Sequence, residues 1–168
     1  DAEDISAMSP ASATYYSYDI HGNVDTLLQD YRQGTMAAND NRFKKLIYEY
    51  DLVSGKVNKV SYQAGLPDAF YHRYTYDAEN RITNVETSTD DFYWENEAYY
   101  QYYKHGPLAK AVIGQQQVQG VDYAYTLQGW LKAVKSIKLK TAYDMGNDGI
   151  TGSLVARDAF GYALHYYG

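Results

Sequence analysis

Asp19 and His21 form one pair whose residue types could do chemistry. They lie two positions apart in YSYDIHGNV, residues 16–24, and a carboxylate beside an imidazole is what many hydrolytic sites use to activate a nucleophile. No nucleophile of recognisable context accompanies them, and His105 occupies the same place, before a glycine, in a second such stretch. This recurrence favours a turn over catalysis, so we predict no catalytic residues and no enzymatic activity.

The segment TDDFYWENEAYYQYY, residues 89–103, combines four carboxylates with aromatic rings. Glycoside hydrolases use paired carboxylates in this way, while exposed rings alone can stack on sugars. We interpret the segment as a polar turn followed by a strand that carries Glu95 and Glu97 on its wet face. Sugar binding without hydrolysis remains an alternative. Its candidate residues, all aromatic, are Tyr93, Trp94 and Trp130.

The loop DMGNDGITG, residues 144–152, matches a calcium-binding loop only in part. Asp144 and Asp148 occupy ligand positions, but Gly146 replaces a third oxygen ligand and Val155 stands where a bidentate Glu is required. A flexible Gly/Asp loop is the better interpretation. The remaining histidines are isolated in aromatic strands without metal-ligand spacing. We therefore expect no metal and no cofactor.

Charge and cysteine content exclude further classes. The chain has 168 residues, the size of one ordinary domain, with 15 basic against 21 acidic side chains and a net charge of -6. This charge argues against a nucleic-acid partner. The absence of Cys excludes disulfides and Cys-based zinc or redox sites. A local basic stretch, which could touch an anionic glycan but is better read as a solvated strand and its exit, comprises Lys132, Lys135, Lys138 and Lys140.

The chain also lacks the marks of membrane insertion. It contains no cleavable signal peptide and no apolar run long enough to span a bilayer, and no Met precedes Met8. We expect a soluble chain that is cut from something longer.

Tyrosine is the unusual component, with 21 Tyr against 4 Phe and 2 Trp. A Tyr ring fills space while its hydroxyl reaches water or a backbone carbonyl, which suits a thin, partly wet β-sheet. The pattern Tyr-x-Tyr, usually followed by Asp and then by Gly or Asn and a second apolar run, recurs five times along the chain. The units begin at Tyr16, Tyr48, Tyr74, Tyr100 and Tyr123. Each unit predicts a β-hairpin.

The link between the two runs of each unit predicts the hairpin turn. Asp at the first position and a residue of positive φ at the fourth are typical of a type I turn followed by a bulge. The second unit predicts a longer loop, and the fourth has Tyr103 in place of the Asp. The predicted turn residues are Asp19, Gly22, Asp51, Gly55, Asp77, Asn80, Gly106 and Gly129.

The second runs place apolar residues three apart, as in Val24 and Leu27 or Val57 and Val60. A flat strand would put such residues on opposite faces. A bulge just after the turn and partial burial of both faces are alternative explanations.

The five units resemble the YD-repeat, or rearrangement-hotspot (Rhs), family. The block VQGVDYAYTLQGWLKAVKS, residues 118–136, and the terminal RDAFGYALHYYG look like the versions in large surface or secreted proteins of the Bacteroidetes type. The resemblance implies a β-sheet that, in bacterial polymorphic toxins, insecticidal toxin complexes and teneurins, spirals into a hollow shell. In the toxins that shell encloses a variable effector.

One family feature is missing. The self-processing Asp-Pro-x-Gly-Arg junction has only Asp158, Phe160 and Gly161 as its nearest match. Neither self-cleavage nor toxicity is therefore expected of this chain. Five units are too few to close a cage, so we predict an all-β, curved, open sheet whose edges could self-associate.

The predicted organisation is an N-terminal linker (1–14), five hairpin repeats (15–140), a Gly/Asp loop (141–152) and a terminal aromatic strand segment (153–168). The predicted function is a noncatalytic segment of a large secreted or cell-surface protein that builds a β-shell or scaffold. Its partner would be the rest of the parent polypeptide, with an enclosed effector as a further possibility. The alternative is a carbohydrate-binding module that uses exposed Tyr and Trp rings on a cell-surface glycan.

Overall fold

The described residues of the chain form hairpins in sequence. A computed structural model describes residues 11–38, 41–135 and 143–166. The elements of this part are β1 (Ser12–Tyr18), β2 (Val24–Tyr31), α1 (Gly34–Ala38), β3 (Phe43–Tyr50), β4 (Val57–Tyr62), β5 (Phe70–Tyr76), β6 (Ile82–Ser88), β7 (Glu95–Tyr102), β8 (Leu108–Ile113), β9 (Gln119–Tyr125), β10 (Leu131–Val134) and β11 (Tyr162–Ala163). In the sheet the strands follow chain order, and neighbouring strands are antiparallel. The predicted all-β class and the open sheet of tandem hairpins are confirmed.

The chain divides into two compact units. The first contains residues 1–73 and 88–93, and the second contains residues 74–87 and 94–168. Strands β1 to β4 belong to the first unit, and β7 to β11 belong to the second. Within the described part of the chain, no helix is long and apolar enough to cross a membrane.

A β-bulge follows the turn in four of the described repeat hairpins. In the first hairpin Tyr18 pairs with Val24 while Ser17 pairs with Thr26, so Asp25 is the extra residue. The same shift occurs between β3 and β4, between β7 and β8 and between β9 and β10. The bulge returns apolar residues three apart to one face, where they lie opposite the repeated tyrosines. Of the two explanations left open by the sequence, the bulge accounts for the spacing.

The core of each unit is small and partly polar. Tyr71 is a buried apolar side chain of the first unit. Those of the second unit are mostly small, namely Ala98, Ala111, Val112, Ala133, Val134 and Val155. Buried charged residues accompany them, including Asp30 in the first unit and Asp122, Lys135 and Asp148 in the second. Such a thin interior cannot rely on hydrophobic burial alone, so polar contacts must contribute strongly.

Candidate functional site

The turn at residues 19–22 holds the Asp19 carboxylate in place. Its Oδ1 accepts hydrogen bonds from the backbone N–H of His21 (2.8 Å) and Asn23 (2.9 Å), and its Oδ2 accepts one from the Asn23 side chain (2.9 Å). The Asn23 side chain holds the pKa of Asp19 below its ordinary value, with further help from the two backbone N–H groups against partial desolvation. Gly22 has a φ of 87°. The carboxylate is therefore used by the turn itself.

His21 adds little to this arrangement. Its Nδ1 lies 3.8 Å from Asp19 Oδ2, and its side chain is 62% exposed. The geometry is that of a loose surface contact and differs from the oriented pair of a hydrolytic site.

The other hairpin turns repeat the backbone geometry with different residues. Gly129 N–H donates to the Thr126 carbonyl at 2.9 Å, and Asn80 N–H donates to the Asp77 carbonyl at 3.0 Å. The second turn is longer, since Gly55 N–H bonds to Asp51 O four residues back. The residues of positive φ at these places are Gly22, Gly55, Asn80, Gly106 and Gly129.

Tyrosine hydroxyls join one hairpin to the hairpin before it. Tyr50 of β3 donates to the carbonyl of Val24 at 2.9 Å, and Tyr102 of β7 donates to the carbonyl of Ile82 at 2.8 Å. Val24 and Ile82 are the first residues of β2 and β6. We call these bonds tyrosine staples. Each staple satisfies a carbonyl beside the turn and fixes the next hairpin against it.

A third staple lies at the end of the described chain. Tyr166 donates to the carbonyl of Leu131, the first residue of β10, at 2.6 Å. Tyr103, which replaces the turn Asp of the fourth repeat, donates instead to the carbonyl of Tyr123 at 2.8 Å. The terminal segment thus attaches to the last hairpin as a repeat would, although its strand β11 has only two residues.

A buried ion cluster in the second unit attaches the Gly/Asp loop to the sheet. Lys110 of β8 places its Nζ 2.6 Å from Asp148 Oδ1, 3.4 Å from Asp122 Oδ1 and 3.3 Å from the Gly146 carbonyl. The side chains of Asp122 and Asp148 are 8% and 1% exposed. Asp148, a candidate calcium ligand in the sequence, therefore pairs with a lysine ammonium.

A second ion pair extends the cluster. Lys135 Nζ lies 3.4 Å from Asp158 Oδ1, with the two side chains 3% and 4% exposed. Lys135 N–H donates to the Asp122 carbonyl at 2.7 Å, which links the two pairs through the backbone. The sequence interpretation of Lys135 as a solvated residue is wrong, because the terminal segment covers it. Lys138 and Lys140 lie outside the described residues.

Two glycines make room for the carboxylates. A Cβ at Gly146 would lie 2.1 Å from Asp122 Oδ2, and one at Gly120 would lie 2.6 Å from Asp148 Oδ2. Because these distances are far inside van der Waals contact, a side chain at either position would force the neighbouring carboxylate or the loop to shift. The close approach explains both glycines without invoking a metal.

Burial changes the acid–base behaviour of the cluster. Desolvation raises the pKa of Asp122 to about 6, against the opposing effect of Lys110 and with reinforcement from Asp148. Desolvation likewise raises the pKa of Asp158, although Lys135 opposes it. The nearby carboxylates raise the pKa of the Lys110 ammonium despite its burial. Asp122 therefore titrates near pH 6.

An open groove of about 380 Å³ lies at the end of the second unit. It is lined by the turn of the last hairpin and by the terminal segment, including Trp130, Lys132, His165 and Tyr166. The rings of Trp130 and Tyr166 are 5.1 Å apart and tilted by 58°. No acidic side chain of the described residues lines it. The groove thus combines an aromatic platform with the Lys132 ammonium and the His165 imidazole.

The three candidate glycan-binding aromatics have different surroundings. Tyr93 belongs to the first unit, while Trp94 is half-buried just before β7, and neither residue lines the groove that contains Trp130. Tyr93 and Phe92 are 63% and 90% exposed on a loop whose backbone is fixed by Asp90. Trp130, in contrast, has an exposed ring that lines the described groove.

The candidate carboxylates of residues 89–103 and the histidines do not form a metal site in the described part of the chain. Glu95 and Glu97 are exposed on β7, and Glu97 accepts a hydrogen bond from Thr87 at 2.8 Å. Among the residues that the structure describes, no group of three or more His, Asp or Glu side chains could hold a metal ion.

Sequence reasoning missed Lys110 and Asp122. Each stands among apolar neighbours, in LAKAVI and QGVDYAY, and a charged residue at an inward strand position indicates a buried partner. The partner could not be identified, because Asp148 lies 38 residues from Lys110 in the chain.

Comparisons with known proteins show the fold. No protein-family profile and no curated protein sequence matches the chain. Among solved structures, TcdB2-TccC3 without its hypervariable C-terminal region and the TcdB2-TccC3-Cdc42 complex both match with a TM-score of 0.58 and 13% identity. A Photorhabdus luminescens Tc holotoxin pore matches with a TM-score of 0.43 and 17% identity, over 77% of this chain and 9% of that one.

The first two matches cover 74% of this chain and 6% of the matched chain, so this chain corresponds to a small part of those proteins. At this identity the similarity is one of fold. The described residues have an Rhs/YD-repeat-like fold.

Proposed function

We propose that this chain is a noncatalytic repeat segment of a large secreted or cell-surface Rhs/YD-repeat protein, in which it forms part of a β-sheet shell or scaffold. The tyrosine staples are the observation that carries the proposal. They use the most characteristic residue of the repeat to join consecutive hairpins, as at Tyr50 and Tyr102. The structural similarity to TcdB2-TccC3 supports a structural repeat segment. The extracellular location follows from the sequence resemblance.

The turn chemistry supports the same role. Asp19, Asp51 and Asp90 direct their carboxylates at backbone N–H groups of their own turns. Carboxylates that accept local backbone hydrogen bonds stabilise the turns of a framework. The partners that we infer are the remaining repeats of the parent polypeptide and any effector enclosed by them.

Electron cryo-microscopy of the full-length polypeptide tests the scaffold proposal. We expect density in which the strands of this chain continue into the sheet of neighbouring repeats. A chain that hangs as a separate domain on flexible linkers would contradict it. Limited proteolysis is a second test. The double variant Tyr50→Phe/Tyr102→Phe, which lacks two staples, should be more sensitive to protease than the wild-type full-length protein. Tyr16→Phe is the control and should not change this sensitivity.

The groove at Trp130 favours a second function, the binding of an anionic sugar. Sugar rings stack on exposed indole and phenol rings, and a carboxylate or sulfate on the sugar would face Lys132 and His165. The absence of acidic side chains among the residues that line it is notable in a chain of net charge -6. Alginate is a suitable probe, with neutral dextran as its control.

Affinity electrophoresis in alginate gels should retard the chain, and Trp130→Ala should remove the retardation. Tyr93→Ala, which removes an exposed ring of the first unit, is the matched control and should have no effect. Equal retardation of the wild type and Trp130→Ala would exclude the groove as the binding site. Retardation in dextran as strong as in alginate would contradict the anionic class.

A further inference from the structure

The ion cluster contains more negative than positive charge. Lys110 and Lys135 supply two positive charges, while Asp122, Asp148 and Asp158 supply three carboxylates, all with side chains no more than 14% exposed. A buried charge without a partner is energetically costly. The uptake of one proton would neutralise the extra carboxylate and remove this cost.

Two carboxylate oxygens of the cluster lack a partner. Asp148 Oδ2 and Asp158 Oδ2 are buried and have no hydrogen-bond partner among the described residues. Asp148 Oδ2 points toward Gly120 on β9, the strand that also carries Asp122. A proton held between such carboxylates would supply the missing donor.

The charged groups of the ion cluster belong to separate strands and to a loop. A change in the protonation of the cluster therefore affects how tightly the loop is held against the strands. Lys110 and Asp122 lie on β8 and β9, and Lys135 follows β10. Asp144, Asp148 and Asp158 lie on residues 144–158, which we call the docking segment. Besides the ion pairs, the described contacts of the docking segment with the sheet include the bond from Lys110 Nζ to the Gly146 carbonyl and a long backbone bond, at 3.2 Å, from Ala156 N–H to the Val118 carbonyl.

We propose that the ion cluster is a pH-sensitive latch: proton uptake at Asp122 tightens the attachment of the docking segment to β8 and β9, and proton loss loosens it. With Asp122 protonated, Lys110 and Asp148 form a neutral pair and the cluster holds no excess charge. With Asp122 ionised, two carboxylates compete for one ammonium. The latch is independent of the proposed scaffold function, since it depends only on contacts within the second unit.

The direction of the pH effect follows from linkage. The pKa of Asp122 is raised to about 6 in the docked state, above its value in an opened, hydrated state. The docked state therefore binds the proton more tightly, and its advantage is present at acidic pH and is lost as the pH rises through about 6. The raised pKa of Asp158 acts in the same direction.

Hydrogen exchange of the 168-residue chain tests the latch. The reporters are the amide of Gly149, which bonds to Val155 O, and the amide of Ala156. After correction for intrinsic exchange rates, their protection should be about tenfold higher near pH 5 than near pH 7.5. The β3–β4 hairpin, in the first unit, is the internal reference and should show no such change.

The variant Asp122→Asn tests whether the pH effect comes from protonation of Asp122. This variant keeps the side-chain shape but cannot ionise, so protection of the docking segment should be high and nearly equal at both pH values. Asp25→Asn is the matched control, because Asp25 is an exposed residue of the first unit, and it should behave as the wild type.

Three results would overturn the latch. They are equal protection of the wild-type docking segment at the two pH values, an equal change in the β3–β4 reference, and an undiminished pH effect in Asp122→Asn. If Asp122→Asn does not fold, the comparison of the wild type at the two pH values still tests the latch. A ¹³C titration of the Asp122 carboxyl tests it as well, and a titration midpoint well below pH 5 would refute the proposal.

Discussion

The hydroxyl of Tyr50 donates a hydrogen bond to the carbonyl of Val24, 26 residues earlier and on the preceding hairpin. Half-burial of the ring raises the pKa of Tyr50, chiefly through desolvation, so the phenol stays protonated as a donor at neutral pH. The relationship recurs between Tyr102 and Ile82. It explains why tyrosine, and not phenylalanine, stands at these two positions.

Tyr50→Phe should lower the free energy of unfolding by about 1 kcal/mol, because the Val24 carbonyl loses its donor while the ring remains. Urea denaturation followed by tyrosine fluorescence or circular dichroism measures the change. Tyr16→Phe is the control, since Tyr16 is 52% exposed, and it should be within a few tenths of a kcal/mol of the wild type. Equal losses in the two variants would contradict the staple.

Gly22→Val should destabilise the chain by about 1 kcal/mol or more, because the φ of 87° strains a β-branched residue. Nothing lies within 4 Å of a Cβ at this position, so the loss would come from the backbone alone. His21→Ala should be nearly silent in the same thermal or urea melts. A large loss on His21→Ala would refute the turn interpretation of this pair.

Asp90→Ala should loosen the loop at residues 88–93. The backbone N–H groups of Tyr93 and Phe92, with the Ser88 hydroxyl, hold the pKa of Asp90 below its ordinary value. Its contribution to stability is therefore present above about pH 4 and is lost as the pH falls through the lowered pKa. Hydrogen exchange at Phe92 and Tyr93 should report this. Asp91→Asn, which removes only the surface pair with Lys59, should preserve protection.

Gly146→Ala should destabilise the docking segment by about 1–3 kcal/mol, because the new methyl group would overlap Asp122 Oδ2. Protease sensitivity at Arg157, an exposed residue of this segment, gives a convenient measurement. The control is Asn147→Gly, whose φ of 52° a glycine adopts without strain. Unchanged cleavage of Gly146→Ala would mean that the close approach of loop and sheet is absent in solution.

The free edge of β1 should support weak self-association. Within the described residues β1 pairs only with β2, and an unpaired strand edge is a template for another strand. Sedimentation at increasing concentration should show a rising average mass, and Tyr16→Lys should reduce it. A monomer at all concentrations would exclude this association.

Local chemistry made much of the fold predictable from the sequence. The Tyr-x-Tyr alternation indicated the strands, and Asp with Gly or Asn at fixed spacing indicated the turns. The choice between a bulge and two-sided burial could not be made from Val24 and Leu27, since both give the same spacing. Cross-strand register was needed to decide it.

The ion cluster shows why the candidate sites were harder to predict. Asp148 stands in a loop that resembles a metal site, and only the tertiary fold brings Lys110 to it. Lys135 has the same sequence context as solvated lysines, but the docking segment buries it against Asp158. Local patterns carry no information about contacts made across 23 or 38 residues of chain.

The staples also give the array a direction of growth. In each pair the donor tyrosine comes later in the chain than its acceptor carbonyl, as with Tyr50 and Val24. A hairpin that has just emerged from the ribosome thus meets an acceptor already formed, since synthesis proceeds from the N-terminus. Each stapled hairpin can therefore attach to the sheet while the rest of the chain is still being translated.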